Sequence, residues 1–456
     1  MEYLGILGAV ALLIWLALRG IDIVFAALLC SVLVIVTNGL PLAQSLSEYF
    51  ALGPLGAFTF AGRFFLLFIA GAVFGKIMGE SHAAASLAMA LIRQLGAHRA
   101  LTISAFACAL LTYGGVVVFV VIFAMYPLGL RLLQEADIPK RLFCASLALG
   151  AGTFTLTALP GTPSIHNVIS ASALGTDLFA GPWLGLLGGA LMLGGGLWYL
   201  ERQRVKAQAA GEGFVPGPRD IIPPSGEAGP KLPPWPLALL PIVLVIGSIL
   251  APRLLAGTAI ASGDGAVAKL LDFAATQPVL WPSIALFFGT AVALAIFPKV
   301  RRHGLHLAGQ GTQDAILPLI NTAAVIGFGG VVTQTAGFAN FTALVLNADL
   351  PPLFSAFLSV SLVSGLTGSA SGGLQIFMQT LAPQYLAMGV DAQTLHRVVT
   401  MASGGVDSLP HCGAVVAMLT ITQLSHREAY RDVGIITVVI PVLATLAVIA
   451  VVAVTG

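Results

Sequence analysis

Charged side chains are scarce in this sequence. Lys and Arg number 21 and Asp and Glu 19 among 456 residues, 9% of the chain, where soluble globular chains carry about 25%. That is too few to coat a water-soluble body of 46.9 kDa. The net charge is only +2, which excludes the basic footprint of a nucleic-acid binder. Cysteine is scarce as well. Cys30, Cys108, Cys144 and Cys412 all sit in apolar stretches and form no CxxC pair. A disulfide framework and a zinc or iron–sulfur site are therefore not expected, and no metal or cofactor is. Enzyme motifs are lacking too. The stretch from Gly71 to Lys76 lacks P-loop spacing, and Ala370 stands where G-x-S-x-G needs its nucleophile. The N-terminus has no basic region ahead of its apolar run. It opens on Glu2 and meets Arg19 only after Tyr3–Leu18, so it reads as a transmembrane helix rather than a secretory signal.

Apolar residues make up 57% of the chain and the mean hydropathy is +0.96. Runs near the ~20-residue spanning length recur along it. They are Tyr3–Leu18, Ile23–Leu40, Leu55–Phe74, Phe143–Leu159, Trp183–Leu200, Pro236–Leu255, Val279–Phe297, Ile316–Thr335, Arg397–Leu419 and Val433–Val454. Two longer Gly-containing stretches, Ala100–Leu130 and Leu353–Met388, allow either one tilted helix or a hairpin that enters the membrane and turns back. Basic residues concentrate on the cytoplasmic side of membrane proteins, and that rule decides between the two. If both stretches fold back, 17 of the 21 basic residues face inside, leaving Arg253, Lys269 and Arg397 outside and Arg63 in the membrane.

The expected fold is an all-α polytopic membrane protein of two inverted-topology repeats. The first, 1–200, holds a re-entrant hairpin at 100–130 and a broken helix at 142–178. A polar cytoplasmic linker, 201–235, leads to the second, 236–456, with its hairpin at 353–388 and broken helix at 397–424. Tyr113-Gly114-Gly115-Val116 resembles Ser371-Gly372-Gly373-Leu374, and Leu159-Pro160 matches Leu409-Pro410, at offsets of 258 and 250 residues. Gly115 and Gly373 are the expected hairpin tips. Inverted repeats with discontinuous helices are the architecture of secondary transporters.

A helix broken in mid-membrane frees backbone groups that lipid cannot satisfy, so breaks survive beside protein or a wet site. The first expected break runs from Thr155 to Asn167 and the second from Ser403 to Gly413. Half-helix N-termini after each break suit a carboxylate. The candidate substrate ligands are Gly114, Gly115, Thr162, Ser164, Asn167, Ser369, Ser371, Gly372, Gly373 and Ser408. Asp407 is costly in a span unless solvated or compensated. It is the first candidate for coupling, with His411 and His166 beside it as groups able to titrate near neutral pH. Its counterpart in the first repeat is Thr157, which does not titrate. Arg63 is a candidate for neutralising an anion.

The strings Leu159-Pro160-Gly161-Thr162-Pro163-Ser164-Ile165-His166-Asn167 and Gly404-Gly405-Val406-Asp407-Ser408-Leu409-Pro410-His411-Cys412-Gly413-Ala414 resemble the signature breaks of the gluconate permease (GntP-type) family, part of the ion transporter superfamily. Cys412 departs from the Asn expected in the phrase Leu-Pro-His-Asn-Gly. The resemblance covers nearly the whole chain in its order of elements. It implies a bacterial inner-membrane protein that imports a small monocarboxylate, such as a gluconate-like sugar acid or 3-hydroxybutyrate, by proton symport. It also implies a homodimer with an elevator-like moving domain. The partners expected are thus a small-molecule carboxylate, a coupling proton and the lipid bilayer. A sodium-coupled carboxylate carrier is the alternative, and an intramembrane enzyme a more distant one.

Overall fold

Backbone in apolar surroundings has no water to bond, so helices that satisfy their own N–H and C=O groups are the natural outcome of such a sequence. The computed structural model describes residues 2–95, 99–116, 118–217, 220, 232–255, 258, 265–410 and 412–455, and every regular element among them is helical. Five helical segments among the described residues are long and apolar enough to cross a membrane. The chain is an all-helical, multi-pass membrane protein.

The long helices of the first half are α1 (Glu2–Leu18), α2 (Ile23–Thr37), α3 (Ala57–Glu80) and α4 (Pro182–Ala209). Those of the second are α5 (Trp235–Leu255), α6 (Leu280–Ile296), α7 (Gly304–Val332) and α8 (Ile440–Thr455). The third long helices of the two halves, α3 and α7, pack along each other. Around that pair the contacts cross between halves: α2 lies on α7, and α6 lies on α3. The closing helices α4 and α8 also pair.

Between α3 and α4 the first hairpin folds Ala100–Tyr113 against Val118–Ala136. The first broken helix follows as Lys140–Gly152, Phe154–Thr157 and Ile165–Leu174. Between α7 and α8 the second hairpin folds Pro352–Thr367 against Ala370–Thr380, and the second broken helix is Ala392–Val406 with Gly413–Thr422. In each half the first hairpin helix packs on the first segment of the broken helix. The contact is close because Gly150 faces the Ala105 carbonyl, where a Cβ would lie only 2.1 Å from the oxygen. Each second half-helix then packs on the hairpin of the other half. Ile165–Leu174 lies against Ala370–Thr380, and Gly413–Thr422 against Val118–Ala136.

Several details differ from the hydropathy reading. The second tip lies at Gly368–Ser369 rather than at Gly373. Gly368 takes the left-handed conformation (φ 60°) that stops a helix, and Ser369 caps the next one by accepting from the Gly372 N–H at 3.1 Å. Gly373 is helical, and its missing side chain admits Ser364 of the opposite hairpin helix, whose Oγ would lie 2.2 Å from a Cβ there. In the first hairpin Gly115 does sit at the turn, at φ 92°. The second broken helix starts at Ala392 under an Asp391 cap, so it carries Arg397 fully buried within the protein rather than at the flank of a span. Helix α7 begins at Gly304, twelve residues before Ile316, because Gln310, Gln313 and Asp314 continue its helix while interrupting its hydropathy. Ala83–Leu95, Ala266–Thr276 and Ala336–Asn347 are further helices, each too short to register as a span.

Candidate functional site: a cavity between tips and breaks

The first break is built by residues that cannot continue a helix. Pro160 and Pro163 lack an N–H, and Gly161 is left-handed at φ 83°. Ser164 then caps Ile165–Leu174, accepting from the Asn167 N–H at 3.2 Å. Several of the carbonyls released by the break, and those of Leu178 and Ala180 beside it, are matched to side chains. Ser164 Oγ donates to Leu156 O at 2.6 Å, and Tyr113 of the first tip donates to Pro160 O at 2.8 Å. Asn167 Nδ2 donates to Thr162 O at 2.9 Å and Leu178 O at 2.8 Å. The guanidinium of Arg397 donates to Ala158 O, Leu178 O and Ala180 O.

The second break bends at Gly404 (φ −95°, ψ 25°) and ends its first helix at Val406, with Asp407 as C-cap. Tyr430 donates to Ser408 O at 3.1 Å, and His426 Nε2 lies 2.8 Å from Pro410 O. The Asp407 carboxylate accepts from Ser408 Oγ at 3.1 Å and lies beside the Ala370 N–H at the second tip. A carboxylate here meets the positive end of Ala370–Thr380, which offsets part of the cost of burying it.

A cavity of about 2140 Å³ is lined by both tips and both breaks. Of the residues expected from sequence, it brings together Gly115, Ser164, His166, Ser369, Ser371, Asp407 and Ser408. Gly114, Thr162, Asn167, Gly372 and Gly373 stand behind this lining. Asn167 is fully buried and its amide is committed to protein partners. Arg63 is exposed on α3, donates to Ser172, and does not reach the cavity. His411 lies outside the described residues.

Two other lining residues carry no sequence signal of their own. Thr112 Oγ1 at the first tip and Asn321 Oδ1 on α7 are buried without a protein partner, as is Nδ1 of the expected His166. Toward one end the lining becomes charged, with Lys76 and Asp314 paired at 3.4 Å between α3 and α7, and Glu80 and Glu135 nearby. Among the described residues no three His, Cys, Asp or Glu side chains group as a metal site. The arrangement offers hydroxyls, backbone donors and one deep carboxylate to a small polar solute.

No protein-family model matches the chain. It is 37% identical to the uncharacterized transporter YxjC of Bacillus subtilis, over 96% of both chains. The chain belongs to that transporter family. It is also 26% identical to the high-affinity gluconate transporter of Escherichia coli, over 67% of this chain and 66% of the other. Among solved structures it is similar in fold to the YdaH transporter of Alcanivorax borkumensis, with a TM-score of 0.54 at 16% identity over 86% of each chain. The likeness to YxjC makes the chain a membrane transporter.

Proposed function

We propose that the protein is a secondary transporter that carries a small organic monocarboxylate, a gluconate-like sugar acid or a short-chain hydroxy acid, together with a proton. The observation that carries this reading is the seat of Asp407. One acid of a broken span faces the positive helix end at the second hairpin tip, in a cavity shared with Ser164, Ser369, Ser371 and Ser408. An ionised Asp407 and a substrate carboxylate compete for the same positive helix end. Protonating Asp407 releases that end to the substrate, so anion and proton bind together and the loaded site is neutral. The likeness to a gluconate transporter supports the carboxylate.

The two halves act as inverted repeats in this reading, 1–200 and 236–456, with the linker in the cytoplasm. Ion pairs fit that topology, because they join segments assigned to the same side. Lys76 meets Asp314, Lys140 meets Asp220, and Arg141 meets Asp432, all inside. The charged end of the large cavity is also assigned inside, so in this reading the cavity faces the cytoplasm. A separate cavity of about 600 Å³, lined by Tyr49, Gln334, Thr342 and Gln379, belongs to segments assigned outside. Alternating access follows an elevator-type movement of the hairpins and broken helices past α3 and α7, in a homodimer of the bacterial inner membrane.

Uptake into sealed proteoliposomes tests the function. Labelled gluconate and 3-hydroxybutyrate should be concentrated, chemically unchanged, when the outside is made acidic. Accumulation that follows a sodium gradient instead would make the protein a sodium-coupled carrier, and turnover without accumulation would make it an enzyme.

A further inference from the structure

The two breaks are held in different ways. The second relies on neighbours just beyond it in sequence, Tyr430 and His426. The first is gripped from the other half of the chain by two adjacent residues of Ala392–Val406. Arg397 is fully buried, and its Nε and both terminal nitrogens reach the carbonyls of Ala158, Leu178 and Ala180 at 2.7–3.3 Å. Asp177 lies near enough to act on the Arg397 charge electrostatically, and the hydrogen bonds of the guanidinium go to backbone oxygens. Its planar fork suits several carbonyls at once in a way a lysine ammonium does not.

His396 completes the grip, and its tautomer follows from the network. Asn167 Nδ2 donates to two carbonyls, so Oδ1 faces His396 Nε2 at 2.8 Å and must accept. Nε2 therefore carries the proton. Nδ1, 2.7 Å from Thr176 Oγ1, then accepts the threonine hydroxyl. A neutral imidazole satisfies every partner, and a second proton on the ring would face a hydroxyl already oriented toward it.

We propose that His396 and Arg397 are positioning residues that hold the first break at a fixed distance from the second, so that both half-sites travel as one body. The role rests on the reading of the cavity as the substrate site. Asn167 transmits it: the side chain that His396 orients holds Thr162 O, and the Asn167 N–H is capped by Ser164 of the lining. Counting back 250 residues, the first repeat has Ser146 and Leu147 in place of this pair. The clasp thus exists in one direction only. It leaves the first break rigid and the second, which bears Asp407, the adjustable one.

Full-length protein in detergent gives a test that needs no substrate. In R397Q, amide hydrogen exchange across residues 158–180 should rise at least tenfold, while peptides from 304–332 keep wild-type rates. Unchanged exchange at 158–180, or equal acceleration everywhere, overturns the proposal. His396 variants decide the point if R397Q fails to fold. H396Q keeps a donor for Asn167 Oδ1 and should retain protection at 158–180, whereas H396A should lose it. In proteoliposomes H396A should raise the KM for gluconate about tenfold with Vmax within twofold of wild type. H396Q should restore KM without moving the pH profile. A shifted pH profile in H396Q would make His396 a proton carrier and overturn the positioning role. If wild type takes up no gluconate, the substrate reading falls while the exchange measurements still decide on the clasp.

Discussion

Ser371 and Asn167 are both polar residues beside a helix interruption, and sequence alone gives them the same standing. The structure separates them. Ser371 Oγ has one weak protein contact, Ser369 Oγ at 3.4 Å, and lines the cavity. Asn167 spends its side chain on two carbonyls and His396. Ser371→Ala should therefore weaken carboxylate binding about five- to tenfold, the worth of about one hydrogen bond, without lowering the melting temperature. Asn167→Ala should lower the melting temperature as well, because it leaves buried carbonyls under-satisfied at about 1–3 kcal/mol. Calorimetric titration beside thermal unfolding reads both quantities. Asp407 was legible because an acid in an apolar run stands out. Arg397 obeys the same rule, but it opens a run and so looks like a flank. Asp391, the cap that moves it inward, gives no hydropathy signal.

At the scale of elements, breaks are easier to read than tips. Pro160, Gly161 and Pro163 together, and Pro410 in the second break, oppose helix strongly, so their positions mark the breaks in the folded chain as well. In the second hairpin several glycines compete, and only the backbone decides which one turns and which one admits a neighbour. The polar linker hides a different kind of element. Asp220 has no exposed side-chain surface and receives Lys140 at 2.8 Å, Tyr126 at 2.8 Å and Gln423 at 2.8 Å. It ties the first hairpin, the first broken helix and the end of the second together, and no spacing in the sequence announces such partners. Burial alone would push this carboxyl up, but Lys140, the Gly217 N–H and Tyr126 together hold it below the usual carboxylate range. A lowered folded pKa contributes stability above the unfolded value, about 3.9, that is lost as pH falls through the folded one. Asp220→Ala should cost about 3–5 kcal/mol at neutral pH, as expected for one partner of a buried pair. Glu201→Ala, which breaks an exposed pair with Arg204, should cost under about 1 kcal/mol. Melting curves against pH should show the gap between wild type and Asp220→Asn closing below about pH 4. A gap that stays constant would mean the charge does not matter.

At the scale of the whole molecule, composition was enough for a multi-pass helical protein. The pairing of α3 with α7 was not legible, because helices in a bilayer meet through small residues rather than through patterns of charge. The inverted topology makes a prediction that needs no substrate. Single cysteines at Arg99 and Glu135, at the two ends of the first hairpin, should react with an impermeant maleimide only from the cytoplasmic side. Cysteines at Asp349 and Met388, flanking the second, should react only from the opposite side. Labelling of either pair from two different sides would mean that the hairpin crosses the membrane. The central claim, that a proton on Asp407 accompanies each carboxylate, is tested most directly by Asp407→Asn in proteoliposomes. The amide mimics the protonated acid. The mutant should still exchange labelled for unlabelled gluconate across the membrane, yet lose accumulation under an imposed pH gradient. A mutant that still concentrates gluconate against its gradient would contradict the account and leave Asp407 as a cap alone.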